Sequence, residues 1–180
     1  ETTALAISWA LYLLANDPAA QERAREEARG VLGERAAAGG DLAAMPYTEQ
    51  VLDEAMRLYP PVGMLARNVL DDDEIYDRDI RPGETVFVNT YALHRHEDLW
   101  ERPHAFDPDH FSPAAREARD RYAYLPFGAG PRVCVGANFA MMQAQIILAT
   151  LVARFRFAPA GKVPEPIMHM TVRPEPGVTL

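Results

Sequence analysis

The chain opens on an apolar run, Ala4 to Ala15, with no charge and no glycine inside it. A run apolar on nearly all sides predicts a helix buried in a large core. It is too short to span a bilayer. Asn16-Asp17-Pro18 ends this helix and starts the next, with Asp17 as N-cap and Pro18 in the first helical position. Residues 19–32, rich in Ala, Glu and Arg, predict a solvated helix. Gly39-Gly40 marks a loop, and Pro46 opens a helix that runs to about Tyr59 and stops at Pro60-Pro61. The periodicity then changes. Val62 to Leu70 and Thr85 to Asn89 predict short strands, and Arg81-Pro82-Gly83-Glu84 between them has the residues of a type II turn. His94 to Gly136 is irregular, a length that usually signals function in a compact domain. Ala137 to Phe155 predicts a long apolar helix, and Arg156 to Leu180 short strands separated by prolines. No repeat or flexible linker divides the chain. The expected fold is mainly α with a small β region (α+β).

Composition narrows the class. The chain has 180 residues, enough for one domain, and 48% of them are hydrophobic, so a packed core is expected. The net charge of -8 argues against a nucleic-acid surface, which would be basic. One cysteine excludes an internal disulfide and makes a reducing compartment, the cytoplasm, the default. The chain begins at Glu1 without methionine and without the basic segment of a signal peptide. The simplest expectation is a chain that starts inside a helix whose first turns are missing.

That cysteine lies in the segment with the most chemistry, Phe127-Gly-Ala-Gly130-Pro-Arg132-Val-Cys134-Val-Gly136. It reads as a tight glycine-rich loop that delivers a thiol to the start of the Ala137 helix. Gly128, Gly130 and Gly136 permit backbone conformations or close approaches that a side chain would block. The free N–H groups and macrodipole of a helix N-terminus favour negative charge on a thiol placed there. Such a group can be a nucleophile or a metal ligand. A nucleophile is disfavoured because no histidine is placed by sequence to activate it.

The same segment resembles the haem-binding loop of the cytochrome P450 family, at Phe127, Gly130, Arg132, Cys134 and Gly136. The resemblance implies that Cys134 ligates the iron of haem b, and that its electron donation favours O–O cleavage. It implies that Phe127 packs on the thiolate and that Arg132 pairs with a haem propionate. Arg67, in the first strand, resembles the family's second propionate arginine.

Glu54-Ala-Met-Arg57 places two opposite charges three residues apart on one helix face. The family carries such a Glu-x-x-Arg pair as a structural lock behind the haem loop. It completes the lock with an arginine in a Pro-x-x-Phe-x-Pro-x-Arg-Phe segment. Here the matching stretch runs from Pro103 to Phe111 and carries His110 at the arginine position. The resemblance thus implies a lock of Glu54, Arg57 and His110, with a third arm that is open to pH. Glu1-Thr2 resembles the acid–alcohol pair of the helix crossing the distal face. It implies that Thr2 hydrogen-bonds bound dioxygen and that Glu1 joins the proton path; without the resemblance, Thr2 would read as an N-cap. His94-Arg95 resembles a family dipeptide with packing and hydrogen-bonding roles. His96, His104 and His169 have no metal-ligand spacing with Cys134, and Asp71-Asp72-Asp73-Glu74 reads as a solvated turn.

The resemblance covers residues 1–180 and implies the C-terminal, haem-binding portion of a single domain whose N-terminal portion is missing. It implies a bacterial-type soluble monooxygenase that inserts one oxygen atom from O2 into a small apolar organic substrate. Electrons would come from a ferredoxin- or flavodoxin-like donor with its reductase. Arg116, Arg119, Arg121 and Arg132 outnumber Glu117 and Asp120 ahead of the cysteine, and predict a basic patch for that donor. Two alternatives stay open: a haem-thiolate peroxygenase or isomerase, and a non-enzymatic remnant that binds haem poorly.

Overall fold

The computed structural model describes residues 1–180. Six helices and three small two-stranded antiparallel sheets follow one another along the chain. The helices are α1 (Thr2–Asn16), α2 (Pro18–Leu32), α3 (Pro46–Leu58), α4 (Thr90–Leu93), α5 (Pro113–Ala118) and α6 (Ala137–Arg154). The strands are β1 (Leu65–Asn68), β2 (Asp73–Ile75), β3 (Arg78–Ile80), β4 (Thr85–Val88), β5 (Glu165–Met168) and β6 (Val172–Glu175). The mainly helical architecture with a small β part agrees with the sequence reading. No helix is long and apolar enough to cross a membrane.

The core forms where α1, α2, α3 and α6 meet. Asp17 caps α2, its carboxylate accepting from the Ala20 N–H at 2.9 Å, and Pro18 fills the first helical position, where no N–H is needed. The expectation of a merely solvated α2 is corrected. Ala20, Ala24, Ala28 and Leu32, four residues apart, form a buried stripe in the common core with α6. Small side chains let helix backbones approach closely. The charged residues of α2 also serve its neighbours. Glu27 accepts from the Tyr47 and Thr48 N–H groups at 2.7 and 2.9 Å, at the open N-terminus of α3. Arg25 donates to the Val152 and Phe155 carbonyls at the end of α6. Helix ends leave such backbone groups unpaired, so each contact satisfies a group that needs a partner.

The β regions refine other expectations. β1 pairs with β4 in the register Leu65↔Val88 to Asn68↔Thr85. The turn before β4 is as expected, with Gly83 at φ +92 and Glu84 N–H donating to the Arg81 carbonyl at 3.0 Å. Asp73 and Glu74, however, are not in a turn. They belong to β2, which forms a small hairpin with β3 inside the β1–β4 excursion. Gly39–Ala44 is a 3-10 helix rather than a plain loop. The irregular stretch from His94 to Gly136 holds a 3-10 turn at Pro108–Phe111, the short α5 and another 3-10 turn at Gly130–Arg132. Proline stands in the first or second position of all three, where no helical N–H is needed.

Candidate functional site

The cysteine loop is held by its own backbone. Cys134 N–H donates to the Phe127 carbonyl at 2.9 Å, Gly128 N–H to Leu125 at 3.2 Å and Val133 N–H to Gly130 at 3.1 Å. Gly128 and Gly130 adopt φ +75 and +73, where a Cβ would be strained. Gly136 differs. Its φ is -91, so conformation does not demand glycine there, and an added Cβ would stand 3.9 Å from the Cys134 sulfur. The loop leaves the thiol exposed at the start of α6.

The thiol faces an apolar cavity of about 260 Å³. Phe127, Arg132 and Cys134 line one side of it, α1 contributes Thr2, Thr3 and Ala6, and α3 contributes Leu52 and Met56. The chain thus brings together residues from its first turn and from position 134. Thr2 is the first residue of α1 and makes no capping bond, so the N-cap reading of Thr2 does not hold. Its neighbour Glu1 is not among the lining residues. The Glu1 carboxylate accepts from Arg173 at 2.6 Å and from the Thr171 hydroxyl at 3.1 Å. These hydrogen bonds, Thr171 first, hold it below the usual carboxylate range.

Two arginines flank the cavity. Arg132 lines it, and Arg67, on β1, lies close to Gly128: a Cβ there would be 4.0 Å from the Arg67 Nη2 and 3.6 Å from Leu65 Cδ1. Neither guanidinium has a carboxylate within ion-pair distance, whereas Arg23, Arg35, Arg57, Arg102, Arg116, Arg156 and Arg173 each have one. An exposed thiol, apolar walls and two guanidinium groups without a carboxylate partner form a donor set that fits haem, which would need a thiolate for its iron, apolar contact for its ring and cations for its two carboxylates.

The basic patch is narrower than the sequence implied. Arg116 is paired with Asp53 and Glu49. Arg119 stacks on Trp100 and Phe111 and donates to the His110 carbonyl. Arg121 donates to the Tyr122 hydroxyl. Arg121 and Arg132 are the exposed members without a carboxylate partner.

Behind the loop stands α3, whose residues Val51 to Leu58 are all buried. Glu54 and Arg57 are fully buried and form a two-point pair, Nε–Oε2 and Nη2–Oε1 both at 2.7 Å. Arg57 also donates to the carbonyls of His94, Pro103 and Ala105 at 2.9, 2.6 and 2.8 Å. All five N–H groups of the guanidinium are used. Glu54 Oε1 further accepts from Asp107 N–H at 2.9 Å and faces His110 Nδ1 at 3.1 Å. The three residues expected to form a lock are therefore together.

What connects this lock to the loop is His94, whose role sequence reasoning set only as packing and hydrogen bonding. Its carbonyl is held by Arg57 and its Nε2 accepts from Leu125 N–H at 2.9 Å, two residues before Phe127. The Nδ1 is buried without a hydrogen-bond partner. Burial, then the charges of Arg57 and Arg95, push the imidazole down from its ordinary 6.5 to about 3. The folded chain therefore binds this proton less readily than the unfolded chain. Between pH 6.5 and 3 the unfolded state holds more protons, so stability present above 6.5 is lost as pH falls through that window. A His94→Gln variant, which keeps a neutral acceptor, is expected to lose this share of the acid sensitivity. Thermal unfolding across the window checks it; a His94→Gln curve parallel to the parent's would show that another group is responsible.

Comparison with known proteins adds the following. The family model for cytochrome P450 matches residues 1–180. Cyclooctatin synthase of Streptomyces melanosporofaciens is 38% identical over 177 residues, covering 97% of this chain and 39% of that protein. Taurochenodeoxycholic 6 alpha-hydroxylase of Sus scrofa is 37% identical over 183 residues, covering 100% of this chain and 36% of that protein. Cytokinin hydroxylase of Arabidopsis thaliana is 38% identical over 181 residues, covering 99% and 35% respectively. The chain thus spans between 35% and 39% of the length of these relatives.

Proposed function

Since the chain belongs to the cytochrome P450 family, we propose that it forms the thiolate side of a haem monooxygenase, with Cys134 as the iron ligand. The observation that carries this reading is the shared cavity, which Cys134, Phe127, Arg132 and Thr2 all line. Bound haem supplies the activation of dioxygen and accepts the electrons. The chain's own residues supply the rest. Cys134, on a loop fixed by backbone bonds, would hold the iron and donate charge to it. Arg132 and Arg67, neither of them paired with a carboxylate, would hold the two propionates, Arg67 through Nη2 because its Nη1 donates to the Ala66 carbonyl at 2.8 Å. Phe127, which lines the same cavity, would pack on the sulfur once haem is bound.

On the other wall the Thr2 and Thr3 hydroxyls are the polar groups that α1 brings to a largely apolar cavity, and Thr2 is the one at the position the resemblance assigns to proton transfer. Proton delivery in a water-poor site needs such a donor. Glu1 joins that path only by exchanging its Arg173 partner, so Thr2 carries the assignment. The apolar lining suits a small apolar organic substrate. The electron donor is a ferredoxin- or flavodoxin-like protein, whose acidic surface would meet Arg121 and Arg132. We place the protein in the cytoplasm, a reading supported by its single, unpaired cysteine.

The test is the source of the oxygen atom. The haem-loaded full chain is supplied with a reductase, a ferredoxin and isotopically labelled dioxygen, and apolar products are analysed. Label from dioxygen in the product is expected, together with a thiolate-type band for the reduced CO-bound protein. Oxygen taken only from added peroxide would replace the monooxygenase reading with a peroxygenase one.

A further inference from the structure

His110 stands where the resemblance calls for arginine, and its surroundings define which form of the ring fits. Nδ1 lies 3.1 Å from Glu54 Oε1, and Nε2 lies 2.7 Å from the Glu101 carbonyl. Both partners are acceptors. A backbone carbonyl has no hydrogen to give, and an ionised carboxylate has none either. Protonating Glu54 does not resolve this. Its Oε1 already receives Arg57 Nη2 and Asp107 N–H, and its Oε2 receives Arg57 Nε. A neutral imidazole carries one N–H, so one of the two contacts would set lone pair against lone pair at hydrogen-bond distance. Only the ring with two N–H groups satisfies both.

The charges around the ring allow this form. From α3, Glu54 faces it and attracts the added charge, while Arg57 opposes it but is already matched by Glu54. From the segment after α5, Arg119 donates to the His110 carbonyl and lies over Trp100, whose ring stands edge-on to His110 with centroids 5.8 Å apart. Along the chain, Asp107 is paired with Arg102 and Asp109 with Arg23. Nearby Arg116 is taken by Asp53 and Glu49.

We propose that His110 is a positioning residue that works as an imidazolium, tying Glu101 and the Pro108–Phe111 turn to Glu54 with two donated hydrogen bonds. When the ring loses its proton, one tie becomes repulsive and the third arm of the lock opens. The two ties are made only while both ring nitrogens carry hydrogen, so they are present at low pH and one is lost as pH rises. Arginine, charged at every working pH, would make the arm permanent; histidine makes it conditional. The geometry stands apart from the haem assignment, which enters only through haem retention as a readout.

The experiment uses the diamagnetic, reduced CO-bound full chain and its His110→Arg and His110→Gln variants. Ring nitrogen NMR of His110 is expected to show two N–H groups at the pH of greatest stability. The midpoint of thermal unfolding should fall relative to His110→Arg by roughly 4 °C or more as pH rises, approaching His110→Gln, and haem release should quicken in parallel. The difference from His110→Arg isolates His110, because His94 and Asp53, whose carboxyl burial pushes up to about 6, titrate in both proteins. A ring with one N–H at the stability maximum overturns the proposal, and so does a difference that stays flat with pH. If His110→Arg does not fold, the NMR result decides alone. Loss of the thiolate-type band with the two N–H groups retained would count against the haem reading and in favour of this one.

Discussion

A Cys134→Ala variant is expected to fold like its parent and to lose the thiolate-type band of the reduced CO-bound protein completely. The two halves of this expectation have different causes. Folding is spared because no bond that shapes the loop uses the sulfur. The Phe127, Leu125 and Gly130 carbonyls are each engaged by backbone N–H groups, and the left-handed turns belong to Gly128 and Gly130. An exposed thiol contributes little burial, so its truncation costs little. The spectrum is lost because the chain has no other cysteine. Dioxygen-dependent turnover should fall by on the order of 10²-fold or more, about 2.7 kcal/mol of barrier, since thiolate donation is what favours O–O cleavage. A Cys134→His variant separates ligand identity from ligand presence: it should restore haem binding with an imidazole-type band and leave turnover low. A thiolate-type band that survives in Cys134→Ala would end the assignment.

The loop behind this expectation is the part of the site most readable in the sequence, for a physical reason. The loop's determinants are local. Three glycines, an arginine and a cysteine lie within ten positions, and backbone bonds among them do the shaping. The Glu54–Arg57 pair was readable for the same cause, since helix geometry alone puts the two side chains on one face. Features that depend on distant chain segments were harder to see. Nothing near His94 announces that its ring will receive the Leu125 N–H, 31 positions along. Glu27 and Arg25 look like solvated helix charges until their targets, the ends of α3 and α6, fold against them. The alanine stripe of α2 is ambiguous because alanine favours helices whether buried or not. β2 was hidden by its acidic residues, which are poor strand formers and here sit on an exposed hairpin. The cavity itself joins residues 2 and 134, so only the fold could show that Thr2 and Cys134 share it.

The same contrast between local pattern and long-range use sets the largest expected loss of stability, that of Arg57→Ala. The surface pair Arg23–Asp109 gives the scale at the low end: its side chains are 53% and 55% exposed, and removing it should cost about 0–1 kcal/mol. Arg57 and Glu54 are at 0%. Truncating Arg57 leaves the Glu54 carboxylate buried and short of its two main donors, a change that typically costs about 3–5 kcal/mol. It also removes the donors to the His94, Pro103 and Ala105 carbonyls, the first in a buried contact that solvent does not replace and the other two part-buried. Against a total stability of about 5–15 kcal/mol, that loss brings the fold to its margin. Arg57→Lys keeps the charge but not the planar five-donor fork, so it should recover only part of the loss. The double variant Glu54→Gln/Arg57→Met removes both charges and should be less destabilised than the two single changes combined, because neither ion is left buried alone. Chemical denaturation of the parent, Arg57→Ala, Arg57→Lys, Glu54→Gln, Arg57→Met and the double variant measures each term. An Arg57→Ala protein as stable as its parent, or strict additivity in the cycle, would mean that the pair is a bystander. The expected coupling instead makes it the anchor through which α3 holds His94, and through His94 the start of the segment that carries Cys134.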